Sequence, residues 1–198
     1  MSVRRVRSLL GPSFLLVCAH LASKMFQSDD DQADLAHRLA WTIRDEEKRE
    51  GHARTVVVGD LNMNPFERGV VGSEGLQAVM DRRVALRGAR VVQGVARDFF
   101  YNPMWSRLGD DSAGPPGTYF SERSSPFSLF WHTFDQVLLR PALLPYFDAT
   151  SLAVLVKVGD VSLLRHDGTP DTRIGSDHLP LVFSLDMDRG SEMEVNAT

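Results

Sequence analysis

Polar side chains with the same chemical character stand beside four apolar segments of this sequence. They are His20 after residues 14–19, Asp60 and Asn62 after residues 56–59, Asp135 at the start of an apolar segment, and Asp177 and His178 before the last one. Binding and catalytic residues often lie on loops that a rigid sheet holds at its strand ends. Each residue alone is more simply a turn or structural residue, so it is their combination that predicts a site.

The chemistry that suits this combination is hydrolysis of a phosphoester. Attack on a phosphodiester requires a positioned water molecule and compensation of the charge that develops around phosphorus. A hard divalent cation on carboxylate oxygens supplies that compensation, which favours Mg²⁺ or Mn²⁺ over zinc. Imidazoles supported by a carboxylate donate to phosphate oxygens and transfer protons near neutral pH. Asn62 can donate a hydrogen bond without adding a competing charge.

Three segments carry a resemblance to a known family. GDLNMNP, FDQVLLRP and GSDHLPLVF follow AHLASK in that order. Together they resemble the endonuclease/exonuclease/phosphatase superfamily, the metal-dependent phosphoesterases that include pancreatic-DNase-like and apurinic-endonuclease-like enzymes. The resemblance covers about His20 to Leu185, which is most of the chain. It implies an α/β (α+β) fold of the DNase-like four-layer type, in which two packed β-sheets are flanked by helices.

The resemblance also implies a role for each candidate residue. Asp60 would orient or deprotonate the attacking water, and Asn62 would bind the scissile phosphate. Asp177 would lie near the divalent metal, with Asp60 as a further metal ligand. His178 would contact the phosphate.

The two remaining residues would support this chemistry. Asp135 would hydrogen-bond the imidazole of His178 and fix its tautomer. His20 would help to protonate the leaving group or hold the phosphate. The cofactor implied for this set is Mg²⁺ or Mn²⁺, and the substrate is a phosphoester, either a nucleic acid or a smaller molecule.

The sequence departs from the family at its N-terminal end. Members normally carry an asparagine and a metal-binding glutamate well before the strand that ends at the His20 position. The residues before His20 contain no Asp, Glu or Asn. We therefore expect the chain to correspond to the C-terminal part of the family fold, N-terminally incomplete, without the main metal ligand. Exposed sheet edges would then favour self-association.

Two hypotheses about function stay open on this evidence. The first is a metal-dependent phosphoesterase of nuclease or phosphatase type. The second is a catalytically inactive or truncated remnant that acts as a phosphate-binding or interaction module. Retention of Asp60, Asn62, Asp135, Asp177 and His178 favours descent from an enzyme, and the missing glutamate favours loss of activity in this chain alone.

Composition limits the other possibilities. The 198 residues, 43% hydrophobic and 24% charged, are typical of one soluble domain, here taken as residues 1–198. A net charge of −4 gives no global basic field for non-specific binding of nucleic acid. The single cysteine, Cys18, excludes an internal disulfide and fits a reducing compartment, so we expect a cytoplasmic protein with Cys18 as a small core residue.

The N-terminal segment allows a second interpretation of location. Residues 1–22 have basic, apolar and small residues in the order of a secretory signal, but Gly11 and Pro12 interrupt the apolar run. We favour a turn between strands at residues 3–10 and 14–19, with secretion as the alternative. No apolar stretch is long enough for a membrane span.

Apolar periodicity predicts a helix followed mainly by strands. Leu35, Ala36, Leu39, Ala40 and Ile43 form an apolar stripe, with Ser28 as N-cap, acidic residues in the first turn and Gly51 at the end. A broken helical region is predicted to begin at Pro65. Further strands are predicted at residues 54–59, 118–121, 133–140, 152–157, 161–165 and 179–186. This mixture predicts an α/β fold with sheets packed face to face.

Overall fold

The computed structural model describes residues 1–24, 28–111, 114–123 and 128–188. Residues 189–198 of the predicted domain lie outside the described part. The α-helices are α1 (Asp29–Glu50), α2 (Arg68–Val71) and α3 (Arg82–Ala85), and 3₁₀ helices span Pro103–Arg107 and Pro141–Tyr146. The strands are β1 (Ser2–Val6), β2 (Phe14–His20), β3 (Thr55–Asp60), β4 (Ala78–Val79), β5 (Ala89–Val92), β6 (Val95–Asp98), β7 (Phe100–Tyr101), β8 (Tyr119–Phe120), β9 (Trp131–His132), β10 (Asp135–Leu139), β11 (Phe147–Val154), β12 (Lys157–Val158), β13 (Val161–Ser162) and β14 (Leu181–Leu185).

A six-stranded mixed sheet forms the centre of the fold, in the order β1-β2-β3-β10-β7-β4. Strands β2 and β3 are parallel and α1 connects them, as a parallel pair requires a crossover. Strand β10 then pairs antiparallel with β3. The carboxyl ends of β2 and β3 therefore lie beside the amino end of β10 at one edge of the sheet.

Helix α1 has the caps and the apolar face that its sequence predicts. The Ser28 side chain accepts from the backbone N–H of Asp31, and the Asp31 carboxylate accepts from the backbone N–H of Ser28, which forms a capping box. Gly51 ends the helix in a left-handed conformation with φ 70°. The predicted stripe is confirmed, because Ala36, Leu39, Ala40 and Ile43 are all buried and Leu35 packs against them.

Two apolar cores lie on opposite faces of the central sheet. The first joins the stripe of α1 to β2, β3 and β10 through residues such as Val17, Val57 and Leu138. The second lies on the other face, where Val56 and Val137 share one cluster with residues of β11 and β14. Strands β11 and β14 pair as a separate two-stranded sheet. The fold is therefore mixed α/β, with one central sheet, several small sheets and few helices among the described residues.

Several predicted boundaries were wrong. The strand predicted over residues 3–10 ends at Val6 as β1, and the strand predicted over residues 152–157 begins earlier, at Phe147, as part of β11. The strand predicted over residues 133–140 is shorter in the structure, because β10 spans Asp135–Leu139 and the Thr133 N–H donates to the Asn64 side chain instead of continuing a ladder. Pro65 does not begin a helix either; α2 starts at Arg68 after a turn closed by Asn64 and Glu67.

Cys18 is exposed, which corrects its assignment to the core. It alternates along β2 with Val17 and Ala19, which are buried against α1. Its side chain therefore emerges on the opposite face of the sheet, and the second core does not cover it there. An apolar sequence neighbourhood does not show how far a second layer extends.

A buried ion pair connects α1 to the central sheet. The Arg140 side chain is 3% exposed and that of Glu47 is 7% exposed. Arg140 donates from Nε to Glu47 Oε1 at 2.8 Å and from Nη2 to Oε2 at 3.0 Å, and the Thr55 hydroxyl donates to Oε1 at 2.6 Å. The guanidinium also lies 3.9 Å from the centroid of the Phe100 ring. Nη1 donates to the carbonyls of Asp98 and Phe99, so each guanidinium nitrogen and each carboxylate oxygen has a partner despite its burial.

Within the ranges that the structure describes, no helix combines the length and the apolar character needed to cross a membrane.

Candidate active site

The register of the central sheet brings three of the candidate residues together. His20 is opposite Asp60 in the parallel pair of β2 and β3, and Asp135 is opposite Asp60 in the antiparallel pair of β3 and β10. Residues in register on neighbouring strands project their side chains to the same face. Gly59 permits this arrangement, because its φ is 127° and a β-carbon would lie 2.0 Å from the Ala19 carbonyl oxygen.

Asp60 and Asn62 form a tight turn at the end of β3. The backbone N–H of Asn62 donates to Asp60 Oδ1 at 2.7 Å, and Asn62 Nδ2 donates to Asp60 Oδ2 at 2.9 Å. Asn62 Nδ2 also donates to the Leu21 carbonyl at 2.9 Å. Both amide hydrogens are thus engaged within the protein. Asn62 orients the Asp60 carboxylate here, and direct donation to a phosphate requires one of these bonds to be exchanged.

His178 is held by Asp135. The imidazole Nδ1 lies 2.7 Å from Asp135 Oδ2. Because an ionised carboxylate only accepts hydrogen bonds, Nδ1 carries the hydrogen and Nε2 is the nitrogen left to face the cleft. The Tyr119 ring contacts the same imidazole at a tilt of 36°, with a centroid distance of 4.8 Å. The orientation of His178 is therefore fixed on two sides.

Asp60 Oδ2 lies between two imidazoles. It is 3.7 Å from His20 Nε2 and 4.0 Å from His178 Nε2. These separations are longer than a good hydrogen bond, so both nitrogens can interact with a bound group. The His20 side chain is 81% exposed, whereas those of Asp60 and His178 are 15% and 24% exposed. The arrangement is one carboxylate at the base of the cleft with an imidazole on either side.

The environment of the cleft raises the pKa values of both Asp60 and His178. Burial raises the pKa of Asp60, and the Asp135 charge adds to this, against the opposing effects of the Asn62 N–H and both imidazoles. Burial alone would lower the pKa of His178, but the hydrogen bond to Asp135 and the charges of Asp135, Asp60 and Asp177 outweigh it, so the pKa is raised. Asp60 is thereby a stronger base, and His178 keeps its charge to higher pH.

All six candidate residues line one cleft of about 710 Å³, including the exposed Asp177, whose carboxylate accepts from Ser176 Oγ at 3.3 Å. Further polar and aromatic residues of this cleft were not predicted from the sequence, and they include Lys24, Tyr119, Arg123, His132 and Ser176. His132 stands three residues before Asp135. This short spacing was the one feature of the sequence that could have marked His132 as a site residue. Tyr119 belongs to a two-residue strand, which has too little sequence for a periodic pattern.

The cleft does not contain a complete set of metal ligands. In the described ranges, no group of three or more His, Cys, Asp or Glu side chains is arranged to hold a metal ion. Both Asp60 oxygens already accept hydrogen bonds from Asn62, and Asp177 is the other carboxylate that the sequence assigns to a metal. These donors do not fit a tight divalent site.

The link between Asp135 and His178 makes a testable prediction about pH. In Asp135→Asn we expect the pKa of His178 to fall, because the largest favourable contact of the imidazolium is removed while burial stays. In the wild type this contact stabilises the fold fully below pH 6.5, the unperturbed value, and the contribution is lost as the pH rises through the higher folded pKa. NMR titration of the imidazole measures the shift.

Asp177→Asn is the matched control, because the Asp177 charge is the smallest of the contributions that raise the pKa of His178. It should shift the titration less than Asp135→Asn does. Equal shifts in the two variants would show that Asp135 has no special contact with His178.

No protein-family model matches this sequence, and no curated protein sequence matches it significantly.

Proposed function

We propose that this protein is a phosphoesterase of the endonuclease/exonuclease/phosphatase type, which hydrolyses phosphodiester or phosphomonoester bonds. The observation that carries the proposal is the convergence of Asp60, His20 and His178 in one cleft, with Asp135 bonded to His178 at 2.7 Å. A half-buried carboxylate beside two imidazoles can activate water and neutralise an anionic phosphate. The mixed α/β fold is compatible with the DNase-like four-layer sandwich that we propose as its architecture.

Each side chain has a distinct task in this proposal. Asp60 accepts a proton from the attacking water, helped by the raised pKa of its carboxyl. Asn62 holds the Asp60 carboxylate through two hydrogen bonds. His178, charged through its contact with Asp135, donates from Nε2 to a phosphoryl oxygen.

His20 is placed to act on the other side of the phosphorus. It is the most exposed of the central side chains and lies 3.7 Å from Asp60 Oδ2. An exposed imidazole can exchange its proton with solvent after each turnover. We assign to it protonation of the leaving oxygen or a further hydrogen bond to the phosphate.

A divalent ion, Mg²⁺ or Mn²⁺, is proposed to bind weakly beside Asp177 and Asp60, where it would add positive charge next to the phosphate. Two carboxylates give too few ligands for tight binding, because Mg²⁺ retains several waters and gains little from an incomplete site. We expect calorimetric titration to show affinity in roughly the millimolar range. Asp177→Asn should weaken it further. Micromolar binding by the wild type would contradict the incomplete site.

The direct test is hydrolysis by the wild-type chain of an aryl phosphodiester, an aryl phosphomonoester and nicked DNA, each with and without Mg²⁺. Release of product from any of them, lost in His178→Gln, supports the proposal. Binding of inorganic phosphate in the cleft without hydrolysis would instead favour the phosphate-binding module. Neither hydrolysis nor phosphate binding would reject both functions.

A further inference from the structure

A second depression of about 810 Å³ adjoins the cleft. The two share Lys24, Ser128 and His132 in their walls, so they are continuous. We propose that the second depression is a substrate subsite, which holds an uncharged ring with a hydrogen-bond acceptor, such as a nucleobase, while the phosphate lies against His178. The inference rests on the proposed function and deepens it by assigning His132 as a specificity-determining residue.

The hydrogen bonds around Asn64 fix the tautomer of His132. Asn64 Oδ1 accepts from the backbone N–H of Thr133 at 3.0 Å, and Asn64 Nδ2 donates to Glu67 Oε1 at 3.0 Å. These two contacts determine which end of the amide is oxygen. Asn64 Nδ2 must then also be the donor across its 3.2 Å contact with His132 Nδ1. The hydrogen of the neutral imidazole is therefore on Nε2.

His132 is consequently a neutral donor, in contrast with His178. Burial lowers the pKa of His132, the Lys24 charge adds to this, and the Glu67 charge only partly opposes it. Among the described residues, the hydrogen bond of the His132 ring is made by Nδ1, and Nε2 has no partner. A fixed N–H on an uncharged ring selects an acceptor such as a carbonyl or ring nitrogen, without the charge that would retain a second phosphate.

The charged side chains of the second depression are already paired. Lys24 forms an ion pair with Glu67 and lies 3.9 Å from Asp29. Arg68 Nη1 lies 2.8 Å from Asp30 Oδ1. These pairs leave little positive charge for a further anionic group, so the charge balance favours an uncharged ligand.

Apolar surface is available beside the donor. Phe66 is 45% exposed and Leu129 is 57% exposed, and both line the second depression. The Phe66 ring is held edge-on by Trp105 at 6.3 Å between centroids, which leaves its exposed surface free to contact a ligand. Stacking on an aromatic side chain strengthens the binding of a flat ring, and it does so for every type of nucleobase.

The distance between the two sites suits one substrate. Tyr119 pairs with His132 on one side and with His178 on the other. The two histidines are thus separated by two strand spacings, about 10 Å. A phosphate at His178 and the base of the same nucleotide can therefore occupy the cleft and the subsite together.

The test compares thymidine monophosphate with methyl phosphate, which presents the same charged group without the ring. With the wild-type protein and Mg²⁺, we expect NMR titration to show about tenfold tighter binding of thymidine monophosphate, as expected for one stacked and hydrogen-bonded base. Phe66→Ala and His132→Phe should each remove most of this advantage. Trp41→Ala, which removes an exposed aromatic ring on α1 outside both depressions, should keep it.

The possible outcomes separate the subsite from the proposed function. If methyl phosphate perturbs the His178 imidazole but thymidine monophosphate binds no more tightly, the subsite is rejected and the function stands. If neither ligand perturbs His178, the proposed function fails, and the subsite with it. Long-range proton–nitrogen NMR of His132 gives a readout without any ligand: hydrogen on Nε2 is expected, and hydrogen on Nδ1 would overturn the assignment even if His132→Phe failed to fold.

Discussion

Asp60→Asn is expected to lower phosphoester turnover by about a hundredfold or more, the usual contribution of a positioned general base. The substitution keeps the size of the side chain and an oxygen for the Asn62 backbone N–H, but it removes the charge and the proton acceptor. Stability should change little, because burial already disfavours the ionised carboxyl, as its raised pKa shows. Initial rates with an aryl phosphodiester, together with thermal unfolding, measure both quantities.

Asp34→Asn is a suitable control, since Asp34 is an exposed aspartate of α1 that does not line the cleft. It makes the same chemical change away from the site and should leave turnover unchanged. A folded Asp60→Asn variant with wild-type turnover would remove Asp60 from the catalytic assignment. The GDLN segment would then be a turn with no chemical role.

Asn62→Ala tests the link between Asn62 and Asp60. Asn62 holds the Asp60 carboxylate through its backbone N–H and Nδ2. We therefore expect the effects of Asn62→Ala and Asp60→Asn on turnover to be less than additive in the double variant. In Asn62→Ala the backbone contact remains, so turnover should fall less than in Asp60→Asn. Fully additive effects in the double variant would instead show that Asn62 contributes independently, for example by direct contact with the phosphate.

Glu47→Ala is expected to lower the free energy of unfolding by about 3–5 kcal/mol, the cost typical of leaving one member of a buried ion pair without its partner. Arg140 would lose both charge-assisted bonds while its side chain stays 3% exposed, and the Thr55 hydroxyl would lose its acceptor. Chemical denaturation with urea provides the measurement. The slope of the transition should be unchanged if the folded state is preserved.

Glu46→Ala gives the matched comparison on the same helix. Glu46 pairs with Arg49 at 2.7 Å, and the Arg49 side chain is 66% exposed. A surface pair of this kind contributes about 0–1 kcal/mol, so the variant should remain close to the wild type. A similar loss in Glu46→Ala and Glu47→Ala would contradict the importance of the buried pair. Combining Glu47→Leu with Arg140→Met should recover part of the loss, since no unpaired charge then remains.

The sequence by itself determined the elements that depend on local periodicity and capping. Helix α1 was predictable because its apolar stripe repeats with the helical period and Ser28 and Gly51 have the conformational preferences of caps. The polar residues beside strands were visible for the same reason, since an abrupt change from apolar to polar residues marks a strand end. The chemical types of the six candidate residues also follow from the sequence alone.

Only the tertiary structure decided which of those residues meet and what holds them. His20, Asp60 and Asp135 come together through strand register, which depends on pairing between segments far apart in the sequence. A different long-range contact, from the Thr133 N–H to the Asn64 side chain, follows the end of β9 at His132, and His132 lies in the cleft wall. The local pattern of apolar and polar residues does not predict such contacts.

The exposed Cys18 and the buried Glu47 show that the polarity of the neighbouring residues in the sequence does not predict burial. Cys18 stands in an apolar run but is exposed, because the second core of the described residues does not reach it, and Glu47 stands in a charged run but faces Arg140. Burial is a property of what packs against a residue, and its own sequence neighbours specify only which face it occupies. The sequence determined the faces, and the packing of distant segments decided which of them became core, surface or cleft.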